Sequence, residues 1–295
     1  MNIRAYFYLI LCTLFWSGNF IVGKVATLFE IPPLTLNFYR WFLAFLILCP
    51  FTLKGVIMNY EEIKKNFLVL VIMGFTSISV FNSVVYYSLN YTQVLNGVLM
   101  ISTIPVFIIF FSGLFKTESI RIYQIIGVVI SLLGVISIIT KLDLSLLLSL
   151  KLNKGDLWML VAMISWTTYS LLLGKKKVNL EPFIFLQTII IIGLLFLLPM
   201  YIAEVFAGKK ITLNFPVLMT IGYVVFFAGI GAYTFWNAAI KLIGPSRSGV
   251  FLHLMPIFSS LMAVFLLGEQ FSFHHIVGTL LIISGILLSS KKQTI

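Results

Sequence analysis

Acidic side chains are scarce in this sequence. Nine Asp and Glu stand against 20 Lys and Arg in 295 residues, and only 10% of the chain is charged. A soluble domain carries about 25%, so this chain lacks the polar surface that a water-soluble fold needs. The scarcity also removes chemistry. There is no Asp-rich cluster for a metal-bound diphosphate, no His-Glu-x-x-His, no phosphate loop and no Gly-x-Ser-x-Gly. His274 and His275 are adjacent and so cannot both face one metal from a single helix face. The two cysteines, Cys12 and Cys49, both sit in apolar stretches, which excludes a disulfide framework. Neither an enzyme, nor a metal site, nor a cofactor is expected.

Apolar residues are what the chain has in abundance: 60% are hydrophobic, with 28 Phe, 12 Tyr and 5 Trp. The net charge of +11 is spread between apolar runs rather than gathered on a patch, so membrane loops explain it and nucleic acid is not an expected partner. A helix needs about 20 apolar residues to cross a bilayer. The spacing predicts spans near 5–27, 34–54, 67–89, 93–115, 120–140, 155–173, 182–203, 215–240, 245–267 and 273–290. The first lacks a small-residue cleavage pattern and carries Trp-Ser-Gly-Asn at its centre, so it reads as a span rather than a signal peptide. Arg40 alone is charged well inside a span. With the N-terminus inside, the inner segments hold 13 of the 20 basic residues and the outer ones 6. The expected fold is an all-α integral membrane protein of ten transmembrane helices with both termini cytoplasmic.

The chain is also similar to itself. Displaced by 151 residues, Pro105 meets Pro256, Glu118 meets Glu269, Gly127 meets Gly278 and Gly134 meets Gly285. Displaced by 149, Pro33 meets Pro182 and Pro50 meets Pro199, while Trp16 meets Trp166 at 150. Two five-helix repeats follow, 1–141 and 155–290. Because five is odd, the second must enter the membrane from the opposite side, an inverted repeat of the kind that builds two gates around a midplane site. Duplication to enlarge a bundle remains the plainer alternative. Pro105 and Pro256 fall near the middle of spans four and nine, where proline interrupts a helix. Gly127, Ser131 and Gly134, with Gly278 and Gly285, read as a packing stripe.

The segment Gly244–Glu269, GPSRSGVFLHLMPIFSSLMAVFLLGE, resembles the signature of the drug/metabolite transporter superfamily, in particular its EamA-like ten-helix members. The Phe-Trp-Ser-Gly-Asn-Phe segment at 15–20 is similar to the opening of the first helix in that family, and Arg40 has a familiar position early in span two. The first repeat departs from the pattern: it has Lys-Thr-Glu at 116–118 where the second has Leu-Gly-Glu at 267–269. The resemblance covers roughly residues 5–290 and implies a transporter of small metabolites, often amino acids or related compounds. It does not name the substrate.

Polar and aromatic side chains at bilayer depth are candidate substrate contacts, because burying them is unfavourable. On span one these are Trp16 and Asn19, followed by Gly23; on span three Asn82 and Tyr86, preceded by Ser79. Span six offers Trp166 and Tyr169, span seven Gln187, span eight Tyr233, Trp236 and Asn237, and span nine His253. Together they would line a cavity suited to small zwitterionic or aromatic metabolites. Against this stand interfacial belts for the aromatics, interhelical bonds for the amides and simple packing for His253. Arg40, Pro105, Glu118, Pro256 and Glu269 are candidate gating or structural residues, and Arg40 could equally hold a carboxylate or snorkel. No Asp or Glu lies deep in a span, which disfavours proton-for-cation exchange. Facilitated diffusion or exchange by rocking between outward- and inward-open states is the expected mechanism. A flippase for a lipid-linked substrate is the alternative, and a membrane-embedded enzyme a more distant one. The expected setting is a bacterial cytoplasmic membrane, with lipids and a small-molecule substrate as partners and a monomer or homodimer as the unit.

Overall fold

The computed structural model describes residues 2–291 apart from 20–21, 23–25, 27, 89–90, 93, 150, 152, 176–177 and 269, with the backbone alone at 94–95, 144 and 266–267. All regular structure among these residues is helical. Eight helices are long and apolar enough to cross a membrane: α2 (Pro33–Met58), α3 (Phe67–Ser88), α4 (Asn96–Leu114), α5 (Ile122–Ile139), α6 (Lys154–Lys175), α7 (Pro182–Phe206), α8 (Phe215–Ile243) and α9 (Pro245–Phe265). Two shorter apolar helices, α1 (Ile3–Ser17) and α10 (Phe273–Ser289), flank them. Residues 20–21, 23–25 and 27 of the predicted first span lie outside the described residues.

Helix starts follow local chemistry. Pro33, Pro182, Pro216 and Pro245 occupy first-turn positions, where a missing N–H is no loss. Asn2 Oδ1 accepts from Ala5 N at 3.3 Å, and Asn214 Oδ1 from Val217 N at 3.0 Å, which caps α1 and α8. Large apolar side chains such as Phe51, Phe206 and Phe265 point outwards, as a lipid-facing surface requires.

The closest packing joins α5 to α10. A Cβ built on Gly134 would lie 2.6 Å from the carbonyl oxygen of Gly278, so the two backbones touch. On α3 and α7, Gly74 and Gly193 make a similar approach. Small residues at these points let helices meet at backbone distance. α2 and α7 are tied at their ends by Glu204, which accepts from Thr35 N at 2.6 Å and Thr35 Oγ1 at 2.9 Å.

Four of the long helices are interrupted, and the interruptions come in pairs. A π-helical segment occupies Phe75–Val80 in α3 and another Val224–Gly231 in α8. α4 breaks after Ile101, and its second half, Ile104–Leu114, carries Pro105 in the first turn. α9 tightens into a 3-10 turn at Val250–His253, after which Leu254–Leu267 carries Pro256 in the first turn. Each proline thus opens the second half of a broken helix rather than kinking a continuous one. The spacing between partners is that of the sequence repeat.

Candidate functional site at the interrupted helices

A helix that widens to π geometry frees backbone carbonyls, and in a membrane those need partners. Here side chains from other helices supply them. In α3, Ser77 O accepts from the Tyr233 hydroxyl at 2.8 Å, and Ile78 O from Asn37 Nδ2 at 3.2 Å. In α8, Ala228 O accepts twice, from Trp16 Nε1 at 3.0 Å and from Arg40 Nη2 at 2.7 Å. The widened part of α8 is therefore held by α1 and α2, and that of α3 by α8 and α2.

The same side chains build one aromatic cluster. Trp16 meets Trp166 edge-on with ring centroids 5.1 Å apart, Trp236 at 5.5 Å and Tyr233 at 6.0 Å. Trp166 also lies 4.7 Å from Phe81 and 5.4 Å from Tyr169, and Trp41 lies 4.7 Å from Tyr233. Four of the chain's five tryptophans belong to this cluster, and all four are buried. Most of these pairs are edge-on or tilted, the arrangements that ring quadrupoles favour. The Tyr169 hydroxyl donates to Asn237 Oδ1. Arg40, 1% exposed, closes one side: its Cζ stands 5.0 Å from the Trp41 ring and 5.9 Å from that of Tyr233, and Nη1 donates to Asn82 Oδ1 at 3.2 Å.

The breaks in α4 and α9 meet at His253. Nε2 lies 2.8 Å from Ser102 O, a carbonyl freed where α4 breaks, so that nitrogen carries the proton and donates. Nδ1 is hydrogen-bonded to Ser131 Oγ on α5 at 2.6 Å, and that hydroxyl also reaches Val128 O at 3.1 Å. His253 thus bridges three helices.

The structure brings Trp16, Asn82, Trp166, Tyr169, Tyr233, Trp236 and Asn237 together in the cluster, with Arg40 beside them. Tyr86 is half-buried on α3, packed against the core without a ring partner among the described residues. Asn19 is half-buried just beyond α1, its Oδ1 without a partner among the described residues. Gln187 is fully buried on α7 but faces α2, with Nε2 donating to Phe45 O at 3.3 Å. Glu118 accepts from Ser246 N at 2.9 Å, at the start of α9. Gly23 and Glu269 lie outside the described residues. Sequence reasoning passed over Asn37, one turn before Arg40, and Trp41, one turn after Asn37, a signal that was available. It also passed over two buried acids near helix ends. Glu204 caps α2, and Asp156 accepts from Thr92 Oγ1 and from Asn153 N at 2.9 Å at the start of α6.

The chain matches the EamA-like transporter family twice, over residues 3–140 and 153–291. It is 28% identical over 295 residues to an uncharacterized transporter of Archaeoglobus fulgidus, covering 99% of each chain. It is 24% identical to the uncharacterized transporter YyaM of Bacillus subtilis, over 98% of this chain and 94% of the other. A crystal structure only 14% identical shares the fold, with a TM-score of 0.80 over 98% of this chain and 97% of that one. With apolar helices throughout and two family matches that together span almost its whole length, the chain is a multi-pass membrane protein that belongs to the EamA-like transporter family.

Proposed function

We propose that this protein carries small metabolites, amino acids or related compounds among them, across a bacterial cytoplasmic membrane by alternating access. In this reading ten helices cross the membrane, both termini are cytoplasmic, and 1–141 and 155–290 form two inverted repeats around one central site. The unit is a monomer or homodimer.

One observation carries the reading: helices α3, α4, α8 and α9 are interrupted in pairs, and side chains from other helices hold freed carbonyls, those of α3 and α8 by members of the aromatic cluster and that of α4 by His253. A carbonyl held by a side chain rather than by its own helix can be released without unfolding that helix. Discontinuous helices near the bilayer centre are the usual material of carrier sites. Trp16, Asn82, Trp166, Tyr169, Tyr233, Trp236 and Asn237 are the proposed substrate contacts. Glu118, which joins the loop after α4 to the start of α9, is a proposed gate partner.

Counterflow in proteoliposomes tests this. Labelled metabolites should enter saturably and faster when unlabelled substrate is inside, and Trp16→Ala or Asn237→Ala should abolish the effect. Folded protein that takes up none of the soluble metabolites would overturn the reading and favour a lipid-linked substrate.

A further inference from the structure

Arg40 is a buried cation whose hydrogen bonds, among the described residues, reach only neutral oxygens: Ala228 O at 2.7 Å and Asn82 Oδ1 at 3.2 Å. Its Nε has no partner. A guanidinium cannot lose its proton at physiological pH, so the positive charge stays in the bundle. The ring faces of Trp41 and Tyr233 offset part of it. Backbone dipoles and rings are weaker partners for a desolvated cation than an anion is.

The groups around Arg40 point the same way. Asn82 must turn Oδ1 towards Arg40, because a guanidinium only donates, and this leaves Asn82 Nδ2 buried without an acceptor. Trp41 Nε1, Trp236 Nε1 and Asn237 Nδ2 are also buried and, among the described residues, unpartnered. These four are N–H donors; beside them Asn37 Oδ1, one turn from Arg40, is an unpartnered acceptor. The two tyrosine hydroxyls of the cluster already donate, to Ser77 O and to Asn237 Oδ1. The cluster therefore has donors to spare, a fixed positive charge and flat apolar walls.

We infer that the substrate is an organic carboxylate, whose anionic oxygens pair with Arg40 and the free N–H groups while its apolar remainder lies among the rings of Trp16, Trp166 and Tyr233. A guanidinium fork matches the two carboxylate oxygens in geometry as well as charge. A single guanidinium suits a monovalent carboxylate better than a divalent phosphate. This inference rests on the transporter reading and narrows it to one substrate class.

Binding and transport are measured separately, so that each idea can fail alone. In detergent, thermal unfolding of the purified protein is followed with 3-phenylpropionate, 4-methyl-2-oxopentanoate, 3-phenylpropionamide and 3-phenylpropylamine. The two carboxylates should stabilise it and the amide and amine should not. Arg40→Gln should weaken carboxylate binding by roughly tenfold or more. Arg40→Lys, which keeps the charge and guards against loss of folding, should retain the preference for carboxylate over amide at lower affinity. Equal stabilisation by amide and carboxylate, no stabilisation by either carboxylate, or unchanged carboxylate binding in Arg40→Gln would overturn the inference. Counterflow of the same compounds then tests transport: carboxylate binding without counterflow refutes the carrier alone, and counterflow restricted to the amide or amine refutes the carboxylate alone.

Discussion

Gly127 on α5 and Gly285 on α10 face each other so closely that a Cβ added to Gly127 would lie 2.5 Å from the Gly285 carbonyl oxygen and 2.7 Å from Ser289 N. One helical stretch further along, Gly134 meets Gly278 in the same way. As the number rises on α5 it falls on α10, so the two helices run antiparallel. They are also partners in the sequence repeat, Gly127 with Gly278 and Gly134 with Gly285. α2 and α7 also run antiparallel, joined by Thr35 to Glu204 at one end and by Gly55 against Ile184 at the other.

Gly127→Leu is therefore expected to force α5 and α10 apart and to destabilise the protein by about 1–3 kcal/mol or more, the usual range for overpacking. Thermal unfolding in detergent measures it. Gly222→Ala, where an added Cβ meets nothing within 4 Å, should leave the midpoint unchanged or raise it. Equal behaviour of the two variants would show that backbone contact at Gly127 is not what joins the helices.

His253→Phe should leave Ser102 O without its partner and remove the tie from α9 to Ser131 on α5, whose hydroxyl keeps Val128 O at 3.1 Å. A buried polar group left unpaired costs about 1–3 kcal/mol. Ser131→Ala on its own should cost less, and the double variant should cost less than the sum, because both changes break one bond. Additive losses would refute the bridge.

Tyr233→Phe keeps the ring among Trp16, Trp41 and Trp166 but removes the donor to Ser77 O in the π segment of α3. We expect a loss of about 1 kcal/mol in stability, with a larger fall in counterflow than in substrate binding, because the bond couples α8 to α3 rather than to substrate. A fall in binding alone would make Tyr233 a simple contact.

Glu118→Gln weakens the hold on Ser246 N at the start of α9, where a full negative charge complements the helix end. Ser112, fully buried and bonded to Ser246 Oγ at 3.0 Å, reports on the same joint. With Cys12 and Cys49 replaced by alanine, a cysteine introduced at Ser112 should react with a maleimide several-fold faster when Glu118 is also changed to Gln. Equal rates would remove Glu118 from the gate.

Much was legible in the order of residues. Apolar runs of about 20 residues have one stable form in hydrocarbon, a helix that satisfies its own backbone, so the long helices α2–α9 could be read from composition and length alone. The paired prolines 105 and 256 marked where α4 and α9 are interrupted, and the glycines of α5 and α10 marked where those helices touch, because each residue type imposes its backbone effect locally. Trp16, Trp166, Tyr233 and Trp236 could be picked out as aromatic residues at bilayer depth. What they do could not. The π segments at Phe75–Val80 and Val224–Gly231 contain neither a proline nor a shared motif, and exist because side chains from other helices take the carbonyls they free. Arg40 in sequence is one charge in an apolar run, open to a substrate carboxylate, to snorkelling or to a gate. Only the tertiary structure places it against Asn82 and Ala228, among N–H groups that have no acceptor of their own. Helices form from interactions within a few residues, so sequence determines them. A site made of Trp16, Arg40, Asn82, Trp166 and Tyr233 depends on how five helices cross, and only folding decides that.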